Sequence, residues 1–130
     1  MSDTTLIEVA MNNYLAPLLA AESPAFTFHW GDVASGTDNY VSLSNVGDPT
    51  EYGYDFVSAR LQFSIVTQAS MIAAATIREL LKTWLQHMKG VYSGMKIQSV
   101  AYIRSIDLPD PTAGEYIIAS EYQINYQGVF

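Results

Sequence analysis

Few residues of this chain have the types and spacing that acid–base or nucleophilic chemistry requires. A serine nucleophile needs a histidine that a carboxylate orients, and the chain contains two histidines, His29 and His87. His29 lies among aromatic residues in a predicted strand, and His87 follows Gln86 near the end of a predicted helix. Because neither occurs in a nucleophile-elbow sequence, we interpret both as structural or surface residues.

No motif predicts a metal, phosphate or cofactor site. The chain has no cysteine, which excludes disulfides and thiolate metal ligands. Asp107 and Asp110 are close enough in sequence to share a cation, but proline-rich turns commonly carry aspartates as local caps. Gly90 and Gly94 follow a predicted helix, whereas a phosphate-binding loop precedes one. We therefore expect no enzymatic activity, no metal and no cofactor.

The element that organises the rest of the chain is a long strand, predicted between Val57 and Ile65. Apolar residues occupy every second position, which is typical of a strand with one buried and one solvated face. The predicted buried face consists of Val57, Ala59, Leu61, Phe63 and Ile65. A shift of one residue in register would bury Arg60 and expose this apolar set, so the register is strongly specified.

A long amphipathic helix is predicted directly after this strand, with Ser70 as its N-cap. Its apolar residues recur at spacings of three and four. They are Ala73, Ile77, Leu80, Leu81, Trp84 and Met88. Lys82 and Lys89 place positive charge in the later turns, which the helix dipole favours, and Gly90 or Gly94 is expected to end the helix.

The remaining pattern predicts one more helix and four more strands. Thr5 and Glu8 have the spacing of a capping box, and a helix is expected from about residue 5 to 20, with a kink or an early end at Pro17. Further strands are expected at residues 26–30, 40–46, 95–106 and 115–126. The order α-β-β-β-α-β-β predicts one α+β domain over residues 1–130, with a mainly antiparallel sheet of four to five strands and both helices packed on it.

The segment Gly47–Asp55 is predicted to form a long projecting hairpin loop, because it is polar and interrupted by glycine and proline. Its acidic residues are Asp48, Glu51 and Asp55. Its aromatic residues are Tyr52 and Tyr54, and Phe56 follows the segment directly. Exposed aromatic residues often contact a partner. Aromatic residues in such loops fold back onto their own sheet equally often, so both interpretations stay open.

Charge and hydropathy exclude several classes of protein. The net charge of −7 argues against a nucleic-acid-binding protein, which needs clustered lysine and arginine. Asp3 occurs where a secretory signal would carry a basic residue, so export is not expected. The longest uncharged run, Leu61–Ile77, is interrupted by polar residues and does not predict a membrane span.

The charges are unevenly distributed along the chain. Residues 1–59 contain eight acidic and no basic residues, whereas residues 60–104 contain all six basic residues and one acidic residue. This segregation can place opposite charges together within one fold. It can also make one face of a protomer complementary to a different face of its neighbour, as a head-to-tail ring requires.

The order of elements from Thr5 to Tyr126 resembles the tail terminator, or tail completion, proteins of long-tailed bacteriophages, including the tail-to-head joining proteins of siphophages. The resemblance lies in the first helix, the aromatic strand Phe26–Trp30, the strand Tyr40–Val46 with its variable loop, the long strand that leads into the helix Met71–Met88, and a final hairpin rich in tyrosine.

The resemblance implies a homo-oligomeric ring, expected to be a hexamer, that caps the tail tube and stops its polymerisation. Its implied partners are the tube protein and the head–neck connector, with DNA passing through the lumen without specific binding. The implied location is the tail or neck of the virion, after assembly in the host bacterial cytoplasm. The family has no catalytic residues to transfer.

Several residues fit this interpretation as interface or lumen residues. The acidic loop residues Asp48, Glu51 and Asp55 would border a channel and repel the duplex. The hypothetical contacts between protomers or with partners are Tyr52, Tyr54, Phe56, Arg60, Arg104, Tyr122 and Tyr126.

Three alternative functions remain open from the sequence. The first is another ring of the neck region, such as a head-completion or connector protein. The second is a small ligand-binding or regulatory α+β domain, and the third is an enzyme with an unrecognised site. Oligomeric state and position in a virion would discriminate among these classes.

Overall fold

Two helices pack on one side of a single mixed sheet. The computed structural model describes residues 3–31, 39–46, 50–52, 56–92, 95–108 and 114–128. Within these ranges the elements are α1 (Asp3–Ala20), β1 (Thr27–Trp30), β2 (Tyr40–Asn45), β3 (Thr50–Tyr52), β4 (Phe56–Thr67), α2 (Met71–Gln86), β5 (Gly90–Tyr92), β6 (Met95–Asp107) and β7 (Tyr116–Gly128).

The strands are ordered β1-β2-β4-β7-β6-β5, and β3 pairs with the beginning of β4. β1 and β2 are parallel, whereas the other pairs are antiparallel. The predicted α+β class, element order and mainly antiparallel sheet are confirmed. Two additional strands, β3 and β5, were not predicted, because three residues are too few to show an alternating pattern.

The centre of the sheet is the long pairing of β4 with β7, which runs from Phe56 opposite Gln127 to Thr67 opposite Tyr116. The predicted alternation of β4 is confirmed, since all five residues of its apolar face are buried. The same face of β7 contributes Ile118, Tyr122, Ile124 and Tyr126 to the core. The rings of Phe63 and Tyr122 meet edge to face at 5.5 Å between centroids, a favourable aromatic geometry.

Helix α2 begins as predicted but presents a different set of residues to the core. The Ser70 Oγ accepts a hydrogen bond from the Ala73 amide at 3.0 Å, which confirms Ser70 as the N-cap. The buried residues are Ala74, Ile77, Leu81 and Leu85, followed by Met88 beyond the helix. The predicted stripe is therefore rotated slightly, and Ala73, Leu80 and Trp84 lie at its partly buried border.

The end of α2 differs from the prediction because no glycine terminates it. The helix ends at Gln86, and His87 forms the C-cap. Gly90 has a φ of 111°, a value that glycine adopts readily, but it lies beyond the cap, where β5 begins. Gly94, the other predicted stop, lies outside the described residues.

Helix α1 continues past Pro17 to Ala20, which confirms the predicted end near residue 20 and excludes an early end at Pro17, the alternative to a kink. Leu15 and Leu19, on either side of the proline, are fully buried, and this burial offsets the hydrogen bond that proline removes. The Tyr14 hydroxyl donates to the Trp84 carbonyl at 2.7 Å and links the two helices. Because α1 begins at Asp3, Thr5 lies inside the helix and the predicted capping box is wrong.

The other side of the sheet has no helix in the part of the chain that the structure describes, because both helices bury their apolar residues in the single core cluster. We call this side the open face and define it by side chains of the three longest strands. They are Ser58, Arg60, Gln62 and Ser64 of β4, Lys96, Ser99, Ala101 and Arg104 of β6, and Glu121, Gln123 and Asn125 of β7.

Candidate assembly surface

The open face is centred on a buried carboxylate that lies between two arginines. Glu121 is only 7% exposed. Its Oε1 accepts a hydrogen bond from Arg104 Nη2 at 3.2 Å, and its Oε2 lies 4.0 Å from Arg60 Nε. We call these three residues the arginine–glutamate cluster.

The strand register positions this cluster. Arg104 of β6 is paired directly with Glu121, and Arg60 of β4 is paired with Gln123, one residue pair further along the face. A slip of β4 by one residue would expose its apolar face, so burial of that face keeps Arg60 beside Glu121. Core packing on one side of the sheet therefore fixes the arrangement of charge on the other.

The two guanidinium groups retain donors for an external ligand. The Arg104 contact is a charge-assisted hydrogen bond, whereas the Arg60 contact is an ion pair beyond hydrogen-bond distance. The Arg60 side chain is 49% exposed, and the Arg104 side chain is 61% exposed. With two cations around one carboxylate, the cluster presents a positive surface that can accept a further anion.

Neutral polar side chains surround the cluster and hydrogen-bond across the strands. Gln123 Nε2 donates to Ser58 Oγ at 2.7 Å, and Asn125 Nδ2 donates to Ser99 Oγ at 2.9 Å. Cross-strand pairs of this kind contribute to sheet stability. They also order the amide groups, so the open face is a pre-organised polar surface.

A second candidate surface lies on the helix side, where Ile72 of α2 is 78% exposed. Ile72 borders two shallow grooves, one along the outer side of α2 and one between the start of α2 and the Glu22–Phe26 segment. A single exposed isoleucine is ordinary. Its position between two grooves makes it a candidate contact for a partner, and we call it the Ile72 ridge.

The edge of β6 is a third candidate surface. β5 pairs only with Met95–Ile97, so from Ser99 to Asp107 β6 has no second neighbouring strand within the described residues. Tyr102, Ile106 and Leu108 are exposed near this edge. Within the described residues β6 therefore lies at the sheet edge over this stretch, and no helix covers its open face.

The structure brings two of the predicted interface residues together and corrects two others. Arg60 and Arg104, distant in sequence, meet at Glu121. Tyr122 and Tyr126 are 1% and 0% exposed, so the prediction that they anchor an interface is wrong. They share the face of Ile118 and Ile124, which the helices cover, and burial raises the pKa of the Tyr122 hydroxyl.

The predicted loop is partly a strand. Thr50–Tyr52 forms β3, in which Glu51 pairs with Val57 and Tyr52 pairs with Phe56, so Glu51 does not lie in a loop. The side chains of Glu51, Tyr52 and Phe56 lie outside the described part of the structure, as do the predicted site residues Asp48, Tyr54 and Asp55. Their assignment as lumen or interface residues stays a prediction.

The residues considered for chemistry have ordinary structural contacts. The His29 Nε2 lies 2.8 Å from Thr27 Oγ1, and its ring meets Tyr40 edge to face at 6.1 Å. Asp107 is 3.8 Å from Arg78 Nη1, and Asp110 lies outside the described residues. No group of three or more metal-ligating side chains occurs among the residues described. Neither helix has the length and hydropathy of a membrane span.

Sequence reasoning missed two acidic residues with unusual environments. Glu121 had a weak signal, as an acid on the polar face of a strand, but its pairing with Arg104 depends on register shifts in β6. Glu8 is 4% exposed and accepts a long hydrogen bond from Asn45 Nδ2 at 3.5 Å. Burial raises the pKa of Glu8 from 4.5 to about 7, and the Asn45 contact opposes this shift.

Comparison with known proteins shows the fold. No protein-family profile matches the chain, and no curated protein matches its sequence. A chain from the virion of a native gene transfer agent particle matches with a TM-score of 0.75, covering 96% of this chain and 97% of that chain at 17% identity. The shared fold extends over both chains.

A second solved chain, known by a sequence number alone, has the same fold with a lower TM-score of 0.60. The match covers 100% of this chain and 97% of that chain at 14% identity. At these sequence identities, the two likenesses establish a common architecture.

Proposed function

We propose that this protein is a non-enzymatic structural protein of a virion that forms a ring at the end of a phage tail tube. The observation that carries the proposal is the match, over almost the full length of both chains, to a chain of a virion. The order of elements in the sequence independently resembles the tail terminator proteins. Two separate comparisons, one of sequence pattern and one of three-dimensional fold, therefore favour a virion component.

In this proposal about six copies close into a ring that caps the tube, stops its polymerisation and joins the tail to the head–neck connector. A closed head-to-tail ring requires two different, complementary surfaces on each protomer. The open face supplies one charged surface, and the Ile72 ridge on the opposite side of the sheet is a candidate contact for the tube or the connector. The net charge of −7 suits a ring through which DNA passes without specific binding.

Assembly in the host bacterial cytoplasm and location at the head–tail junction follow from this role. The test is the oligomeric state of the purified protein, measured by light scattering and native mass spectrometry with and without tube protein. We expect rings of about six protomers that bind tube ends. A chain that stays monomeric under both conditions would contradict the proposal.

The same experiment separates a tail terminator from another ring of the neck region. A tail terminator binds tube ends and limits tube length when it is added during polymerisation. A ring that binds only the connector and leaves tube length unchanged would identify a head-completion or connector protein. A reconstruction of the particle, with an annulus at the end of the tube, gives an independent check.

A further inference from the structure

We propose that the open face binds acidic side chains within residues 1–59 of a second copy of this chain, with the arginine–glutamate cluster as the docking site. This inference rests on the proposed ring and adds which face of the protomer receives the neighbour. It also assigns roles to three residues. Arg60 and Arg104 contact the carboxylates of the neighbour, and Glu121 is a positioning residue that holds the two guanidinium groups.

The first argument is charge complementarity. On strands β4, β6 and β7, the charged residues of the open face are Arg60, Lys96, Arg104 and Glu121. This face is therefore positive in a chain whose net charge is −7, so the rest of the chain is strongly acidic. Residues 1–59 contain eight acidic and no basic residues, and Glu8, which is buried, is not counted as a contact. A second copy consequently carries the charge that the open face attracts.

The second argument is the geometry of the cluster. Glu121 contacts both arginines while its own side chain is only 10% exposed. Each guanidinium is planar and presents several N–H donors, an arrangement that matches a carboxylate in a bidentate contact. Because Glu121 already hydrogen-bonds Arg104 and attracts Arg60, less side-chain entropy is lost when a second carboxylate binds.

The third argument concerns the kind of ligand. Phosphate backbones are bound by clusters of many lysines and arginines, whereas the three strands of the open face carry two arginines at one buried carboxylate and a single lysine further along the face. The acidic remainder of the chain also repels a duplex. These observations favour a carboxylate-bearing protein surface over nucleic acid.

The first experiment reverses one charge of the docking site. Arg104→Glu is compared with Lys89→Glu, which makes the same change in net charge at an exposed position beyond α2 and outside the open face. We expect Arg104→Glu to weaken ring assembly by about tenfold or more and Lys89→Glu by less than about twofold. If wild type forms rings and the two variants assemble equally well, the inference is wrong and the proposed function stands.

The second experiment identifies the docked segment by carbodiimide cross-linking, which joins a lysine amine directly to a carboxylate. Rings are assembled from a mixture of ¹⁴N- and ¹⁵N-labelled chains, so that links between copies are recognised by mass. We expect intermolecular links from Lys96, an exposed residue of the open face, to acids within residues 1–59. Intermolecular links only to acids of residues 105–130, in rings that have formed, would overturn the inference.

The third experiment tests the role of Glu121 with Glu121→Gln. This variant makes the open face more positive, so a surface that acts through net charge alone would bind an acidic neighbour more tightly. We expect weaker assembly instead, because the two arginines lose the carboxylate that orients them. Thermal unfolding measured in parallel shows whether the fold is intact. Assembly that is strengthened in a folded variant would contradict the positioning role.

The alternative ligand is tested with a fluorescent 20-base-pair DNA duplex. We expect no binding by wild-type rings at physiological ionic strength. Binding by wild type that Arg104→Glu abolishes and Lys89→Glu retains would show that the open face binds phosphate, and the inference would be wrong. If no rings form under any condition, the proposed function fails together with this inference.

Discussion

At the scale of single residues, buried polar groups give the clearest expectations for stability. The Glu8 Oε2 and the Tyr122 hydroxyl are buried without a hydrogen-bond partner among the described residues. A buried polar group that lacks a partner costs about 1 to 3 kcal/mol. Both residues lie in or beside the core, so their effects are measurable in unfolding experiments on the protomer.

Glu8 should make stability depend on pH. Its pKa is raised to about 7 in the folded state from 4.5, so the folded protein binds more protons between these values. The contribution of Glu8 to stability is therefore greatest below pH 4.5. It decreases as pH rises from 4.5 to about 7 and is lowest above that value. The contribution is at most about 3 kcal/mol.

Glu8→Gln should remove this dependence and be more stable than wild type at pH 8, as measured by urea unfolding across the pH range. Glu22→Gln is the control, because Glu22 lies beyond α1 and the residue is more exposed than Glu8. The control should retain the decline of wild type. If the stability of Glu8→Gln falls with pH as much as that of wild type, another group causes the decline.

The two tyrosine hydroxyls should behave in opposite ways. Tyr122→Phe removes a buried hydroxyl without a described partner, and we expect no loss of stability or a gain of up to about 1 kcal/mol. Tyr14→Phe removes the hydrogen bond to the Trp84 carbonyl and should cost about 1 kcal/mol. Urea denaturation of both variants measures the difference, and a larger loss in Tyr122→Phe would contradict the expectation.

At the scale of elements, the sequence predicted what a repeating pattern specifies. The alternation of β4 identified its buried face, and the position of Ser70 identified the start of α2. The three-residue strands β3 and β5 have no period to detect. The last strand shows a further limit of sequence patterns. Its alternation places Tyr122 and Tyr126 on the same face as two isoleucines, but only the position of the helices shows that this face is the core.

The candidate site was predictable only in part. Arg60 and Arg104 were recognised as basic residues in an acidic chain, and their strands were predicted. Their meeting at Glu121 depends on the neighbouring positions of β4, β7 and β6 and on the register shifts between Ile97 and Ser99 and between Tyr102 and Arg104. These are tertiary features, which a local sequence pattern does not specify.

The cap of α2 gives a prediction at this scale. Ser70→Ala removes the acceptor for the Ala73 amide and should lower the free energy of unfolding by about 1 kcal/mol. Thr83→Ala is the control, because the Thr83 hydroxyl bonds to the Glu79 carbonyl within the helix, an interaction that contributes little. Thermal unfolding compares them, and equal melting temperatures would show that Ser70 does not stabilise the helix.

At the scale of the whole molecule, the sheet separates two surfaces of different chemistry. The helix side carries the Ile72 ridge, and the open face carries the arginine–glutamate cluster. A protomer with two such surfaces can contact two different partners, as the proposed ring requires.

The Ile72 ridge should affect assembly and leave the fold unchanged. Ile72→Asp alters a side chain that is 78% exposed, so we expect a change in unfolding free energy of less than about 0.5 kcal/mol. We expect a loss of ring formation or of binding to tube ends, measured by native mass spectrometry and electron microscopy. Val9→Asp, at an exposed apolar position of α1, is the control. Equal assembly by both variants would exclude the ridge as a contact.

The two register shifts in β6 have a consequence for polymerisation. A long exposed strand edge invites chain after chain to add in an unlimited ladder, and bulges are one way in which natural sheets prevent this. The shifts interrupt the regular edge of β6 on either side of the Ser99–Tyr102 stretch. Two copies therefore cannot form a continuous hydrogen-bonded ladder along the whole strand. In the proposed role the protein stops the growth of a tube, and the same register shifts prevent its own growth into a fibre.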